Sequence, residues 1–264
     1  LSNELGTKLL KKVLLDIHKV MIPQLENPLI LADFLTDAYD FKDSLHVRML
    51  ALSGLFVLIS KHNLDYPKYY QKLYGLLLPQ EDNLHILNMK YRTRFLKLLE
   101  LSLRSNQLPA SLICAFIKRS MRIALQLPPN CIIWILPFVQ NLFKRHPVCI
   151  KLIRKSPDKG TEEFETDPFK HLESDPEKSK ATDSYMWELA ILKRHYCPNI
   201  AKLAKNFEAT IKNKNLLDLD DFSVVSLNDL FSDELEKTQK EAPMNFEAPN
   251  KFVQKNSAVE LLYQ

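Results

Sequence analysis

Proline punctuates this chain at nearly every junction between apolar runs, while glycine is scarce: 15 Pro stand against 4 Gly in 264 residues. Proline suits the first turn of a helix but cannot continue a helical or strand ladder. Tight hairpins and phosphate-cradling loops, in contrast, are built on glycine. The ratio argues against β-sandwiches and nucleotide-binding α/β folds and favours helices separated by proline stops. With 46% apolar residues there is ample material for the core of one large helical array or two modest domains.

The periodicity agrees. An opening helix ends before Pro23, and Asn27-Pro28 supplies an N-cap with proline at the first helical position of a second helix through Leu31, Phe34 and Leu35. Asp43 is read as the cap of a third helix. In it Leu45, Met49, Leu52, Phe56 and Ile59 recur at steps of three and four, yet Leu50, Leu55, Val57 and Leu58 make the other side apolar too. Such a helix belongs inside a layered array with neighbours on both sides. Further helices are expected from Asp65 to Pro79, about 88–104, 109–127 and 129–145, then from Asp183 to Cys197 and on through Ile200 and Phe207, with a short one at 227–239. Paired helices with short loops predict an all-α fold, an α-solenoid of HEAT/armadillo-like helix pairs. The expected organisation is a helical-repeat core over 1–154, an acidic loop or linker over 155–183, C-terminal helices packing on the core over 184–240, and an extended or disordered tail over 241–264.

The net charge of +4 hides an asymmetry: residues 84–154 hold 12 Lys+Arg and the single acid Glu100, while residues 155–264 carry a net −6. A helical wheel places Lys90, Arg94, Lys97 and Arg104 in one arc of helix 88–104, and Lys118, Arg119 and Arg122 in one arc of helix 109–127. Set side by side, these cations would merge into a ridge facing RNA phosphates or an acidic partner. The alternative is internal, with the acidic last third folding back to neutralise the block. Stacking aromatics do not interleave with these cations, which argues against base-by-base reading of single strands. Arg92 projects instead into the apolar arc with Phe95 and Leu99. There a guanidinium needs a carboxylate or backbone carbonyls, and Asp33 and Asp37 are the candidate acids for this structural buried charge.

Motifs for chemistry are sparse. The seven histidines include no pair at metal-ligand spacing, and Cys114, Cys131, Cys149 and Cys197 form no C-x-x-C pair. No Walker A, G-x-S-x-G or G-x-G-x-x-G pattern occurs. His195-Tyr196-Cys197 offers a thiol near an imidazole, but adjacent helical residues point about 100° apart, so a helix end is the better reading. The expectation is a non-enzyme with no catalytic residues, cofactor or metal, from a reducing compartment. The apolar runs Met49–Ile59 and Cys131–Val139 are shorter than a membrane span, so no membrane partner is expected. Without an initiator Met, the chain is expected to be a fragment.

Several ordered stretches carry a family resemblance: Leu31-Ala-Asp-Phe-Leu-Thr-Asp-Ala-Tyr39, the run from Leu50 through Gly54-Leu-Phe-Val-Leu58 to Asp65-Tyr-Pro67, Lys90-Tyr-Arg-Thr-Arg-Phe95, Ala115-Phe-Ile-Lys-Arg119, Leu136-Pro-Phe138, Arg145-His-Pro147, Trp187-Glu-Leu189 and Lys193-Arg-His-Tyr196. Together they resemble the CCAAT-binding-factor (CBF) domain family. The resemblance implies a helical-repeat, non-catalytic assembly factor of the small-subunit processome, located in the nucleus and nucleolus. It would be bound to nucleolar protein fourteen and other pre-ribosomal particle proteins, and required for 18S rRNA maturation and pre-40S assembly and export. Its basic ridge would be available to pre-rRNA. The alternatives are a direct RNA-binding protein, a protein-only transcription or transport adaptor, and a large-subunit sister factor of the same family.

Overall fold

The computed structural model describes residues 2–40, 44–78, 92–154, 167–213 and 215–237, and among them every regular element is helical, with no strand. The chain divides into two units, Leu1–Ser226 and Leu227–Gln264.

In the first unit, α1 (Ser2–Asp16) runs through a π-helical turn, Ile17–Met21, into the short α2 (Ile22–Gln24). The Asn27 side chain accepts a hydrogen bond from the Leu29 N–H at 3.3 Å, the cap expected from Asn27-Pro28, and a 3-10 turn, Pro28–Ile30, opens α3 (Leu31–Asp40). The next helix, α4 (Leu45–His62), follows Ser44; Asp43, expected to cap it, lies outside the described residues. Both α1 and α3 pack on α4. Gly54 permits the approach: a Cβ there would stand 2.9 Å from Leu35 Cδ2. At 18 residues α4 is long and apolar enough to cross a membrane by length and composition, more than its apolar run suggests. Its apolar side chains are instead largely used within the fold, Val47, Met49, Leu50, Leu52, Leu55 and Leu58 all being buried. The helix stops at Asn63 in the left-handed region (φ 53°), where Leu64 N–H returns to the Leu58 carbonyl at 3.3 Å.

Next, α5 (Tyr69–Gly75) is tied to α6 (Arg92–Ser102) by Tyr69 and Ser102, whose hydroxyls lie 2.7 Å apart in the core. The expected start of α6 near residue 88 lies outside the described residues. The central pair is α7 (Ala110–Ala124) against α8 (Pro129–Arg145). Pro137 sits inside α8 and cannot donate to the carbonyl four residues earlier, yet the helix continues because tertiary packing buries it from Cys131 to Phe143. Beyond a 3-10 turn, Pro147–Ile150, comes α9 (Lys151–Arg154).

Of the stretch expected as an acidic loop or linker, residues 167–183 form an irregular segment in which Phe169, Ser179 and Ala181 are buried, and 155–166 lie outside the described residues. Two 3-10 turns, Glu177–Ser179 and Ala181–Asp183, lead to α10 (Trp187–Leu192). Pro198 at the first position then opens α11 (Pro198–Lys205), followed by α12 (Phe207–Lys212) and α13 (Asp220–Ser223). Both α11 and α12 cover α8, with Phe207 edge-on to Phe143 at 6.0 Å. The Asn141 amide exchanges two hydrogen bonds with the backbone of Leu217, at 2.8 and 2.9 Å, pinning the following loop to α8. In the second unit, α14 (Leu227–Glu236) is an amphipathic helix with Leu227, Phe231 and Leu235 in one stripe and Asp229, Asp233, Glu234 and Glu236 as its charges. The tail 241–264 lies outside the described residues.

Candidate interaction surface

The cations expected to form an outer ridge divide into two groups with different environments. On α7, Lys118 and Arg119 are internal, at 1% and 2% relative exposure, which corrects their placement on a solvent-facing ridge. Residues 167–189 lie over this face of α7. The Lys118 ammonium donates to the Glu188 carboxylate at 2.8 Å and to the Tyr185 carbonyl at 2.5 Å, with Asp167 at 3.0 Å. Arg122, partly buried, reaches the same two acids: Nε to Glu188 at 3.1 Å and a terminal nitrogen to Asp167 at 2.6 Å. Two cations thus face two anions, and Glu188 is completely buried. Trp187 closes the cluster by donating its indole N–H to Asp167 at 2.8 Å while the Arg122 guanidinium lies 4.5 Å from its ring centre. Burial alone would raise the Asp167 carboxyl. The Ser184 hydroxyl, the Trp187 indole, the Phe169 N–H and Lys118 outweigh it and hold that carboxyl below its ordinary value.

Arg119 uses backbone oxygens instead. Its terminal nitrogens donate to the carbonyls of Tyr74 (3.1 Å), His171 (2.9 Å) and Glu173, and its guanidinium lies 3.5 Å from the Tyr74 ring centre. Burial brings its pKa down to about 10, so it stays charged at neutral pH, and pushes the Tyr74 phenol up to about 12. A planar fork of donors suits this junction of three segments better than a lysine would.

The second group is on α6. Lys90 lies outside the described residues, and Arg104 is exposed. Lys97 is half exposed and is held by Asp220 of α13 at 3.1 Å and by Glu100 at 3.3 Å; the hydrogen bond to Asp220 raises its pKa. Arg94 is partly buried, and its Nη1 is shielded from water with no hydrogen-bond partner among the described residues. Together Arg94, Leu96, Lys97, Glu100, Trp134 and Asp220 line an open cleft of about 470 Å³ between α6, α8 and α13. Trp134 is stacked on Phe138 at 4.7 Å. Arg92, read as a structural charge, is partly buried, but its partners are the Val225 carbonyl at 2.9 Å and the Cys131 sulfur at 3.7 Å rather than Asp33 or Asp37. At the end of α10, His195 Nδ1 accepts from the Cys197 N–H at 3.0 Å, so the imidazole serves the chain turn.

Of the acids that complete these arrangements, Asp167 and Asp220 lie in no stretch singled out in the sequence, whereas Glu188 belongs to Trp187-Glu-Leu189. Their common trace in the sequence is the acidic surplus after residue 155, which matches the alternative of internal neutralisation for Lys97, Lys118 and Arg122.

Comparison with known proteins places this arrangement. The CBF/Mak21 family pattern matches residues 48–204, which include α7, Asp167 and Glu188. The chain is similar to the Nucleolar complex protein 4 homolog of Gallus gallus, 40% identical over 251 residues, covering 94% of this chain and 47% of that protein. It is similar to the Homo sapiens homolog, 46% identical over 204 residues (77% of this chain, 38% of that protein), and to Nucleolar complex protein 4 of Saccharomyces cerevisiae, 38% identical over 267 residues (94% and 47%). The chain spans about half the length of these curated relatives or less. The chain belongs to the CBF/Mak21 family.

Proposed function

We propose that this chain is the non-catalytic scaffold portion of a nucleolar protein of ribosome assembly, which holds nucleolar protein fourteen within the small-subunit processome. The observation that carries this reading is identity of 38–40% with Nucleolar complex protein 4 relatives across 94% of the chain. The environment of the basic block supports docking of proteins over docking of pre-rRNA. Lys118 and Arg119 are internal, and Arg122 is committed to Asp167 and Glu188, so α7 has no free cation face to neutralise a phosphate backbone. The fold is held by large buried helix faces, which suits a rigid platform for other chains.

The test is tagged expression of the chain in cells depleted of the endogenous relative. Expected are nucleolar accumulation, co-purification with nucleolar protein fourteen, and relief of a block in small-subunit rRNA maturation. Diffuse distribution, or co-purification with large-subunit precursors only, overturns the reading, the second outcome in favour of a sister factor.

A further inference from the structure

While Lys97, Lys118 and Arg122 are matched by acids of the chain itself, a later stretch keeps its positive charge in the open. Residues 189–217 hold six Lys and Arg, at 193, 194, 202, 205, 212 and 214, against the single acid Glu208. Lys193 meets Glu208 at 3.5 Å, which ties the end of α10 to the start of α12, and α11 packs against both helices. On α11 the buried Ile200 and Ala204 face inward, so Lys202 and Lys205 share the opposite, exposed side, one turn apart. On α10 the buried side is Glu188, Leu189 and Leu192, which turns Ile191, 51% exposed, and Arg194 outward. Tyr196, between the two helices, is 80% exposed and has one face of its ring on the His195 imidazole at 4.3 Å. Arg194, Lys202 and Lys205 are exposed and make no ion pair among the described residues.

We propose that the outer face of α10 and α11 is a docking surface for an acidic segment of a partner protein, whose carboxylates meet Arg194, Lys202 and Lys205 and whose apolar side chain rests on Ile191 and Tyr196. It deepens the scaffold reading above and rests on it. Charge complementarity selects the sign of the occupant: three open cations stand beside one acid, Glu208, which Lys193 already engages. The apolar contribution selects its class. Tyrosine and arginine beside an aliphatic side chain are the residue types that anchor protein interfaces, because they combine large contact area with a polar end. A single nucleic-acid strand needs a succession of rings on which bases stack, and here one ring is exposed, with one of its faces taken by His195. The run of cations is also short: in sequence it gives way to Asp218, Asp220 and Asp221, which would repel the following phosphates of a strand.

The probe is a set of labelled twelve-residue peptides that hold three Asp or Glu around one Leu or Phe, each with an amide-for-acid counterpart, and labelled oligouridine as the nucleic-acid arm. Binding to the full chain is followed by fluorescence anisotropy at low and physiological ionic strength. Expected is saturable binding of the acidic peptides that weakens with salt, and that falls about tenfold or more in the amide counterparts and in the double variant Lys202→Glu, Lys205→Glu. Tyr196→Ala should weaken it about three- to tenfold, and oligouridine should bind less tightly than the acidic peptides. The double variant Lys61→Glu, Lys68→Glu makes the same change in net charge at exposed positions around the α4–α5 junction and should bind as the parent does. These side chains are exposed, so unfolding midpoints should stay close to the parent's. Equal binding of acid and amide peptides, equal loss in the two double variants, unchanged binding by Lys202→Glu, Lys205→Glu, or no peptide binding at all overturns the proposal. Oligouridine binding more tightly than every peptide, with loss in Lys202→Glu, Lys205→Glu and in Tyr196→Ala, overturns it in favour of nucleic acid. Failure of the scaffold reading itself is seen separately, as loss of nucleolar co-purification by the unmutated chain.

Discussion

Glu188 is a fully buried carboxylate whose ion-pair partners are Lys118 and Arg122, and its removal leaves two cations with only Asp167 between them. Breaking one side of a buried pair is far more costly than the pair's net worth, because the remaining charge is left in a medium that solvates it poorly. Glu188→Gln is therefore expected to lower unfolding stability by about 3–5 kcal/mol in urea titrations. Acid should act on the same cluster through Asp167. Its folded pKa is depressed, so it contributes stability above its ordinary value of 3.8, and that contribution fades as pH falls through the lower folded value. The unfolding midpoint of the parent should fall below about pH 4, and Asp167→Asn should start lower and fall less steeply over that range.

At the scale of elements, close approach and helix ends decide what a substitution does. Gly54 is the point where α4 meets α3: a methyl group there would touch both Leu35 methyls, at 2.9 and 3.1 Å, with Ile17 at 3.5 Å. Gly54→Ala gains helix propensity of about 1 kcal/mol and loses a similar amount to crowding, so a small net effect is expected. Gly54→Leu has no space and should cost about 1–3 kcal/mol in thermal or urea unfolding. At the other end of α4, Asn63 holds φ at 53°, a conformation that Gly or Asn accepts. Asn63→Gly is expected to be nearly neutral and Asn63→Val to destabilise by about 1–2 kcal/mol by the same measurement. The αL stop at Asn63, the cap at Asn27 and the proline starts at Pro129 and Pro198 are local events, and the element order follows them closely. Pro137 inside α8 shows the limit of local reading: a residue that ends helices in isolation is carried through by neighbours on both sides of the helix.

For the molecule as a whole, the charge block of residues 84–154 is the feature whose meaning changed most. Since Lys118, Arg119 and Arg122 are turned inward or paired, RNA binding by the full chain should be weak and only shallowly dependent on salt, measurable by filter binding between low and physiological ionic strength. Triple charge reversal at these positions should unfold the protein, visible as a lost cooperative transition, and would report nothing about an RNA surface.

Helix class, most helix positions and the grouping of Lys118, Arg119 and Arg122 on one arc were legible because they depend on the 3.6-residue period and on the fixed φ of proline, properties of short stretches of chain. What covers that arc was not legible. Lys118 meets Glu188 across 70 residues and Asp167 across 49, and Arg92 meets the Val225 carbonyl across 133, contacts that no local pattern encodes. An amphipathic period distinguishes two faces of a helix, whereas burial of the charged one depends on a distant segment bringing matching carboxylates, and only the tertiary fold selects that segment.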